Sequence, residues 1–449
     1  MIDFLLDIFA QYRGDEAVVW QDRSFTYGWL SDRVALLQET LREKQVPRGT
    51  VAAVEADFSP SSVALFLALA GHGCILVPLT GAVDRRRDEF RAVAQAEQLF
   101  SVDGGDRVAV EPSGRRADHP LYARLRGQGH PGLVLFSSGS TGRSKAAVHD
   151  LSLLLEKFTV PRHRLRTLTF LLYDHIGGVN TMLYTLSNGG CIVTVQDKSP
   201  DSVFRAVERH RVELLPTSPT FINLILLSEA YLRYDTGSLR TLTYGTEPMP
   251  ESTLQRLHRA MPGVKLQQTY GLSEVGILRS RSRDPDSLWV KVGGEGFETR
   301  VVDGILWIRA RSAMLGYLNA PDPFTPDGWL NTGDRVEVDG EYIRILGRDS
   351  EIINVGGEKV YPAQVEGVLM GMEGVEDATV SGEPNPITGQ IVKARVKLAT
   401  GETEQEFKRR MRAFCRVRLP AYQTPQKVEL VAREMYGARF KKMRKEGQG

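Results

Sequence analysis

Cysteine is scarce in this chain of 449 residues: Cys74, Cys191 and Cys415 are odd in number, far apart and in no metal-ligand spacing. That excludes a disulfide framework and points to a reducing compartment. Long hydrophobic runs are missing too. The longest apolar stretch, 63–79, is interrupted by Gly71, His72, Gly73 and Pro78, whereas a membrane span needs about 20 apolar residues. It reads instead as a buried helix running into a buried strand. The start, Met1-Ile-Asp-Phe4, has no basic region leading into an apolar core, so no signal peptide is expected. Charge of one sign is not in excess. The 57 basic and 55 acidic residues leave a formal +2, too balanced for a general nucleic-acid binder. No internal repeat or low-complexity tract stands out. A cytoplasmic protein with neither a membrane nor a nucleic-acid partner is expected. Two common nucleotide signatures are also absent, G-x-G-x-x-G and G-x-x-x-x-G-K-[ST].

What is present is ordinary globular composition, 42% hydrophobic and 25% charged, over a length that suggests more than one domain. Short β-rich runs at 132–136, 191–195 and 241–244 alternate with helical patterns at 202–210, 218–230 and 251–260. This alternation predicts an α/β fold with mostly parallel sheets. Near Asp334 the texture changes. Residues 335–345 read as a hairpin turning at Asp339-Gly340. Beyond them, 362–372 reads as a helix with Pro362 in its first turn, 391–398 as a half-exposed strand, and Phe407, Met411 and Phe414 share a helical face. The predicted organisation is a large N-terminal domain of α/β subdomains over 1–347, a hinge at 348–349 and a small mobile α+β domain over 350–449.

The most informative segment is Ser137-Ser-Gly-Ser-Thr-Gly-Arg-Ser-Lys145, directly after a predicted strand. Gly139 and Gly142 let the backbone approach a ligand closely, and successive N–H groups in such a loop form a concave anion site. Ser137, Ser138, Ser140 and Thr141 add hydroxyl donors, and Arg143 and Lys145 add positive charge. That inventory suits a triphosphate.

With this loop, three further motifs stand in order. They are Tyr270-Gly-Leu-Ser-Glu274, Gly328-Trp-Leu-Asn-Thr-Gly-Asp334 and Gly347-Arg-Asp-Ser-Glu-Ile-Ile-Asn-Val-Gly-Gly-Glu-Lys-Val-Tyr-Pro362. Together they resemble the adenylate-forming superfamily of acyl-CoA synthetases, peptide-synthetase adenylation domains and firefly luciferase, closest in character to acyl- or aryl-CoA ligases. Weaker similarity at Phe25-Thr-Tyr27 and Leu419-Pro-Ala-Tyr422 extends the resemblance over nearly the whole chain.

The resemblance implies an acid–thiol ligase. A carboxylic acid is activated by ATP to its acyl-AMP with release of pyrophosphate, and the acyl group then passes to CoA or to the phosphopantetheine of an acyl or peptidyl carrier protein. It also implies roles for single residues. The 137–145 loop, with Ser137, Ser138, Gly139, Ser140, Thr141, Gly142 and Lys145, would hold the β- and γ-phosphates. Glu274 and Thr141 would bind Mg²⁺, a hard cation suited to a hard carboxylate shared with phosphates. Tyr270 would pack on adenine, and Gly245, Glu247, Gly271 and Ser273 would line the adenine and acyl pocket. Asp334 would accept the ribose hydroxyls and Arg348 would contact the ribose or phosphates. Gly356 and Gly357 would line the path of the thiol, in a second placement of the small domain.

The sequence departs from the family in two places. Relatives end in Pro-x-Thr-x-x-Gly-Lys, whose lysine bridges the acyl carboxylate and the α-phosphate. Here the segment is Glu434-Met-Tyr-Gly-Ala-Arg-Phe-Lys-Lys-Met-Arg-Lys445, which places Lys442 on the catalytic position with Lys441 as the competing assignment. His175 falls where acyl-activating relatives carry a pocket histidine, and Asp174 beside it falls near the aspartate by which amino-acid activators hold the substrate amine. The His175 register favours a non-amino acyl or aryl acid. The alternatives to an acid–thiol ligase are transfer to a non-thiol acceptor, or a degenerate member that binds ATP or an acyl ligand without turnover.

Overall fold

The computed structural model describes residues 2–138, 144–399, 401–437 and 439–444. Two seven-stranded sheets form the main body. In the first, Lys265–Gln268, Thr241–Tyr244, Leu214–Thr217, Arg166–Leu168, Cys191–Val193 and Glu16–Trp20 run parallel, and Arg23–Thr26 closes the edge antiparallel. In the second, Gly132–Ser138, Ile75–Leu79, Val51–Glu55 and Gln98–Val102 are parallel, with antiparallel strands added at both edges.

Both faces of these sheets are covered, so successive residues enter different cores, as strand alternation requires. Val18, Leu76, Leu133 and Leu135 join one core with Leu30, Phe66 and Met182 from the helices Tyr27–Glu43, Pro60–His72 and Ile176–Ser187, which lie between the sheets. Their neighbours Val77, Val134 and Phe136 face a second core, and Val19 a third, under the helices Pro200–His210, Pro219–Ser228 and Glu251–Ala260. The stretch read as buried helix into buried strand is Pro60–His72, capped by a Ser59–Ser62 capping box, ended by Gly73 at φ 85°, and followed by Ile75–Leu79.

One region departs from the parallel expectation. Between residues 279 and 348 the strands other than Gly316–Tyr317, which edges the second sheet, form a six-stranded sheet that is antiparallel throughout. Its neighbours in sequence are mostly joined by turns rather than by the long crossovers that parallel pairing needs. The hairpin read from the sequence is here, with Asp339 opposite Tyr342 and Asp334 opposite Arg348.

The last hundred residues build a separate core. Val375–Asn385, Gly389–Leu398, Ile353–Val355, Glu358–Val360 and Lys427–Leu430 make a mixed sheet. The helices Pro362–Leu369 and Glu404–Arg416 pack on it through Val365, Leu369, Phe407 and Met411. Thr403 and Glu406 form the capping box of the second helix.

Candidate active site

A cleft of about 1980 Å³ lies where these units meet. Ser137, Lys145, His175, Gly245, Glu247, Tyr270, Gly271, Ser273, Glu274, Asp334, Arg348, Lys441 and Lys442 all line it. Residues separated by 300 positions are thus brought together by strand ends and loops.

The phosphate-loop strands Gly132–Ser138 and Ser144–Asp150 pair with Ser137 opposite Lys145. The Ser138 side chain and Gly139, Ser140, Thr141, Gly142 and Arg143 lie outside the described residues. The far strand is stitched in place by Asn319, whose amide oxygen accepts from Ala146 N at 2.9 Å while its amide nitrogen donates to Ser144 O at 2.9 Å.

Glu274 faces the cleft and accepts a hydrogen bond from the Tyr317 hydroxyl. Lys145 sets its ammonium 5.2 Å from the centre of the same ring. Burial, reinforced by the Glu274 charge, pushes the Tyr317 hydroxyl up, so it stays a donor. Among the described residues no cluster of three or more His, Cys, Asp or Glu has the makings of a metal cage. A single carboxylate beside a lysine suits a cation that arrives with phosphates.

Asp334 and Arg348 are cross-strand neighbours, and Arg348 Nε reaches Asp334 Oδ1 at 2.7 Å. Tyr270 donates its hydroxyl to Asp334 Oδ2 at 2.5 Å, and Arg348 Nη1 donates to Thr332 O at 2.8 Å. Burial pushes the Asp334 carboxyl up, against Arg348 and Tyr270, which hold it down. Only 6% of Asp334 is exposed, so each partner counts.

Two glycines are needed for close approach. A Cβ on Gly245 would stand 2.7 Å from Thr269 O, and one on Gly271 would stand 2.7 Å from Gly276 O across the two-stranded ribbon Gly271–Leu272/Gly276–Ile277. Glu247 lies beside Gly245. Its Oε1 accepts from Thr220 N at 2.8 Å and its Oε2 from Lys442 N at 3.0 Å.

The two lysines offered for the catalytic position have different surroundings. Lys442 sends its ammonium into the small unit, 2.8 Å from Ala378 O and 3.2 Å from Asp377 Oδ1, with 8% of its side chain exposed. In this placement of the small unit that ammonium is paired with a buried carboxylate, which favours the competing assignment, Lys441. Lys441 stands in the cleft, exposed to solvent there, and its charge acts on Asp334. Surrounding protein lowers its pKa, against the raising effect of Glu247.

The segment is held by partners no motif announced. Arg444 is bidentate to Glu366 at 2.8 and 2.7 Å and reaches Glu351 at 2.9 Å. Phe440 packs on Phe170 and Phe221 with ring centres 5.2 Å away. Arg439 pairs at 2.8 Å with Asp174 Oδ2, which also accepts from Thr80 at 2.8 Å. Asp174, 3% exposed, is thus engaged away from the cleft lining.

His175 lines the cleft at the start of Ile176–Ser187, where its Nδ1 accepts from Gly177 N at 3.3 Å. Burial, with help from Arg439, lowers its pKa to about 4, so it is neutral at pH 7. Gly356 and Gly357 are exposed in a turn outside the cleft lining. On this side Gly245, Gly271, His175 and Ile277 line the cleft, whereas Tyr173, Val179, Tyr244 and Val275 are core residues. Tyr317, Asn319, Lys157 and Asn180 were not singled out from sequence. Their partners are 23 to 175 positions distant, and no local pattern marks them.

A family model described as AMP-binding enzyme matches residues 7–318, and one described as AMP-binding enzyme C-terminal domain matches 364–436. A feruloyl-CoA synthase of Amycolatopsis sp is 29% identical, over 91% of this chain and 90% of that protein. The crystal structure of the anthranilate CoA ligase AuaEII in complex with anthranoyl-AMP superposes with a TM-score of 0.82 at 20% identity, covering 98% of this chain and 95% of that one. The amide bond synthetase McbA of Marinactinospora thermotolerans gives 0.77 at 24%, covering 97% and 96%.

Proposed function

Because this chain belongs to the AMP-binding enzyme family, we propose that it activates a carboxylic acid with ATP as the acyl-adenylate and transfers the acyl group to a thiol, CoA or a carrier-bound phosphopantetheine. The observation that carries the reading is the convergence of Lys145, Glu274, the Asp334–Arg348 pair and Lys441 on one cleft. The substrate carboxylate attacks the α-phosphorus and pyrophosphate leaves, so negative charge grows on phosphoryl oxygens. Cations fixed before reaction stabilise that charge without reorganising. Lys145 serves the departing phosphates and Lys441 the acyl carboxylate and α-phosphate. Asp334, aligned by Arg348 and Tyr270, has lone pairs left for ribose hydroxyls. Mg²⁺, when bound, neutralises phosphate charge, and Glu274, aligned by Tyr317, would hold it together with phosphate oxygens.

His175 stays neutral and lines the acid side. Asp174 lies outside the cleft lining and its Oδ2 is held by Arg439 and Thr80, so among the described residues its charge is already compensated, which favours a non-amino acid. Thioester formation requires a second placement of the small unit, pivoting at Arg348 and Asp349, that carries Gly356 and Gly357 to the cleft.

The test is ATP–pyrophosphate exchange with Mg²⁺ over aryl, fatty and amino acids, followed by thioester assay with CoA and with carrier protein. Acid-dependent exchange is expected. Its absence across the panel, with ATP binding shown separately, would overturn catalysis in favour of a binding-only member.

A further inference from the structure

The acid-side branch of the cleft carries positive charge that adenylation does not use. Lys157 sits in its wall, just past the helix Leu151–Glu156, and donates to Asn180 Oδ1 at 2.6 Å and Ile277 O at 3.1 Å. Both partners are neutral. Among the described residues no carboxylate stands within ion-pair distance of Lys157, unlike Lys442, Arg439 and Arg444 across the same cleft. Arg162 and Arg279 line the same branch, also without a carboxylate partner among the described residues, and their charges act on Lys157.

A half-buried ammonium held by two neutral acceptors and facing two further cations is electrostatically incomplete. Burial, with Arg162 and Arg279, lowers its pKa to about 8. A bound anion would supply the missing charge. The position fits the far end of a substrate, because Asn180 and Ile277 belong to the two elements that wall the acid side: the helix that His175 begins, and the ribbon that carries Gly271.

We propose that Lys157, presented by Asn180 and Ile277 O and supported by Arg162 and Arg279, receives a second carboxylate at the distal end of the substrate, so that the enzyme activates dicarboxylic acids at one end. This rests on the adenylation reading above. No bond is made at Lys157, and the distal carboxylate leaves unchanged in the product.

Matched pairs of acids test it: one monocarboxylic skeleton and the same skeleton with a distal carboxylate, across aromatic and aliphatic spacers of increasing length. The expected kcat/KM in pyrophosphate exchange favours the best diacid by at least about tenfold, the scale of one charged hydrogen bond. Lys157→Met should abolish that ratio and Lys157→Arg should retain much of it. Arg279→Ala, at an exposed position, should lower it by about threefold through lost charge alone. No diacid preference at any spacer length, or a preference intact in Lys157→Met, overturns the proposal. Should neither acid of any pair support exchange, both are titrated onto the protein by calorimetry. Tighter diacid binding that Lys157→Met removes keeps this assignment while overturning the activity, and equal or no binding overturns the assignment.

Discussion

The two ends of the active site are held by different physics. Asp334 and Arg348 sit on neighbouring strands and face each other because those strands pair at that position, while Tyr270 directly precedes the ribbon strand Gly271–Leu272 and Glu274 lies in the short turn that joins it to Gly276–Ile277. Among its described residues, the segment carrying Lys441 has almost no regular structure. There a bridge between Tyr436 and Lys442, an aromatic cluster around Phe440 and ion pairs to Asp174, Asp377, Glu351 and Glu366 fix it. Register binds side chain to backbone locally, whereas the ion pairs rest on residues up to 265 positions away. The first end should tolerate loss of one contact, and the second should respond to its charges as a set.

The largest break in this comparison is expected at the lysines. Lys441→Ala should lower acid-dependent pyrophosphate exchange about a hundredfold to a thousandfold, the scale of removing one preorganised charge-stabilising group. Lys442→Ala should lower exchange by no more than about tenfold and act mainly on stability, because it strands the Asp377 carboxylate. The reverse order would return the catalytic role to Lys442 and require the small unit to shift in the reacting complex.

The next effect falls on the charges that hold the segment. Glu366 is 2% exposed, accepts both Arg444 bonds and takes Val380 N at 3.0 Å. Burial works to raise its pKa, but Arg444 and Lys442 outweigh it and leave it below the ordinary 4.5. The stability it contributes is therefore present above the unfolded value and lost as pH falls through the lower folded one. Glu366→Ala should cost about 3 kcal/mol at pH 7, since it leaves Arg444 buried without its main partner. Urea unfolding at pH 7 and pH 4 checks this. The gap between wild type and variant should narrow at the lower pH, and a constant gap would mean that packing rather than charge accounts for the loss.

The same contrast explains what was legible in the sequence. Strand-borne residues come in short motifs because each is placed by its immediate neighbours, so the Tyr270–Glu274, Trp329–Asp334 and hinge segments could be read directly. The helix–strand alternation was legible for the same local reason. Strand order was not: Val18 pairs with Ile192 across most of the first sheet's sequence, and nothing local announces it. The choice between Lys441 and Lys442 was open because neither flanking residue decides it. Asp377 and Ala378, which draw off the Lys442 ammonium, lie 65 and 64 positions earlier in an unremarkable strand. Tyr317 escaped notice likewise, since its strand Gly316–Tyr317 has only two residues.

Tyr317 offers the smallest and sharpest test. Tyr317→Phe keeps the ring beside Lys145 and deletes only the hydroxyl that aligns Glu274. One lost hydrogen bond to a charged group predicts about a threefold to tenfold fall in exchange, seen mainly as a raised KM for Mg·ATP. If the strand-borne end stands by itself, this loss multiplies independently with that of Glu366→Ala in the double variant, as distant sites with no shared partner do. Should the double variant lose much more than that product, the ion pairs behind Arg444 also set the position of Glu274, and the two ends of the cleft would form one cooperative unit rather than two.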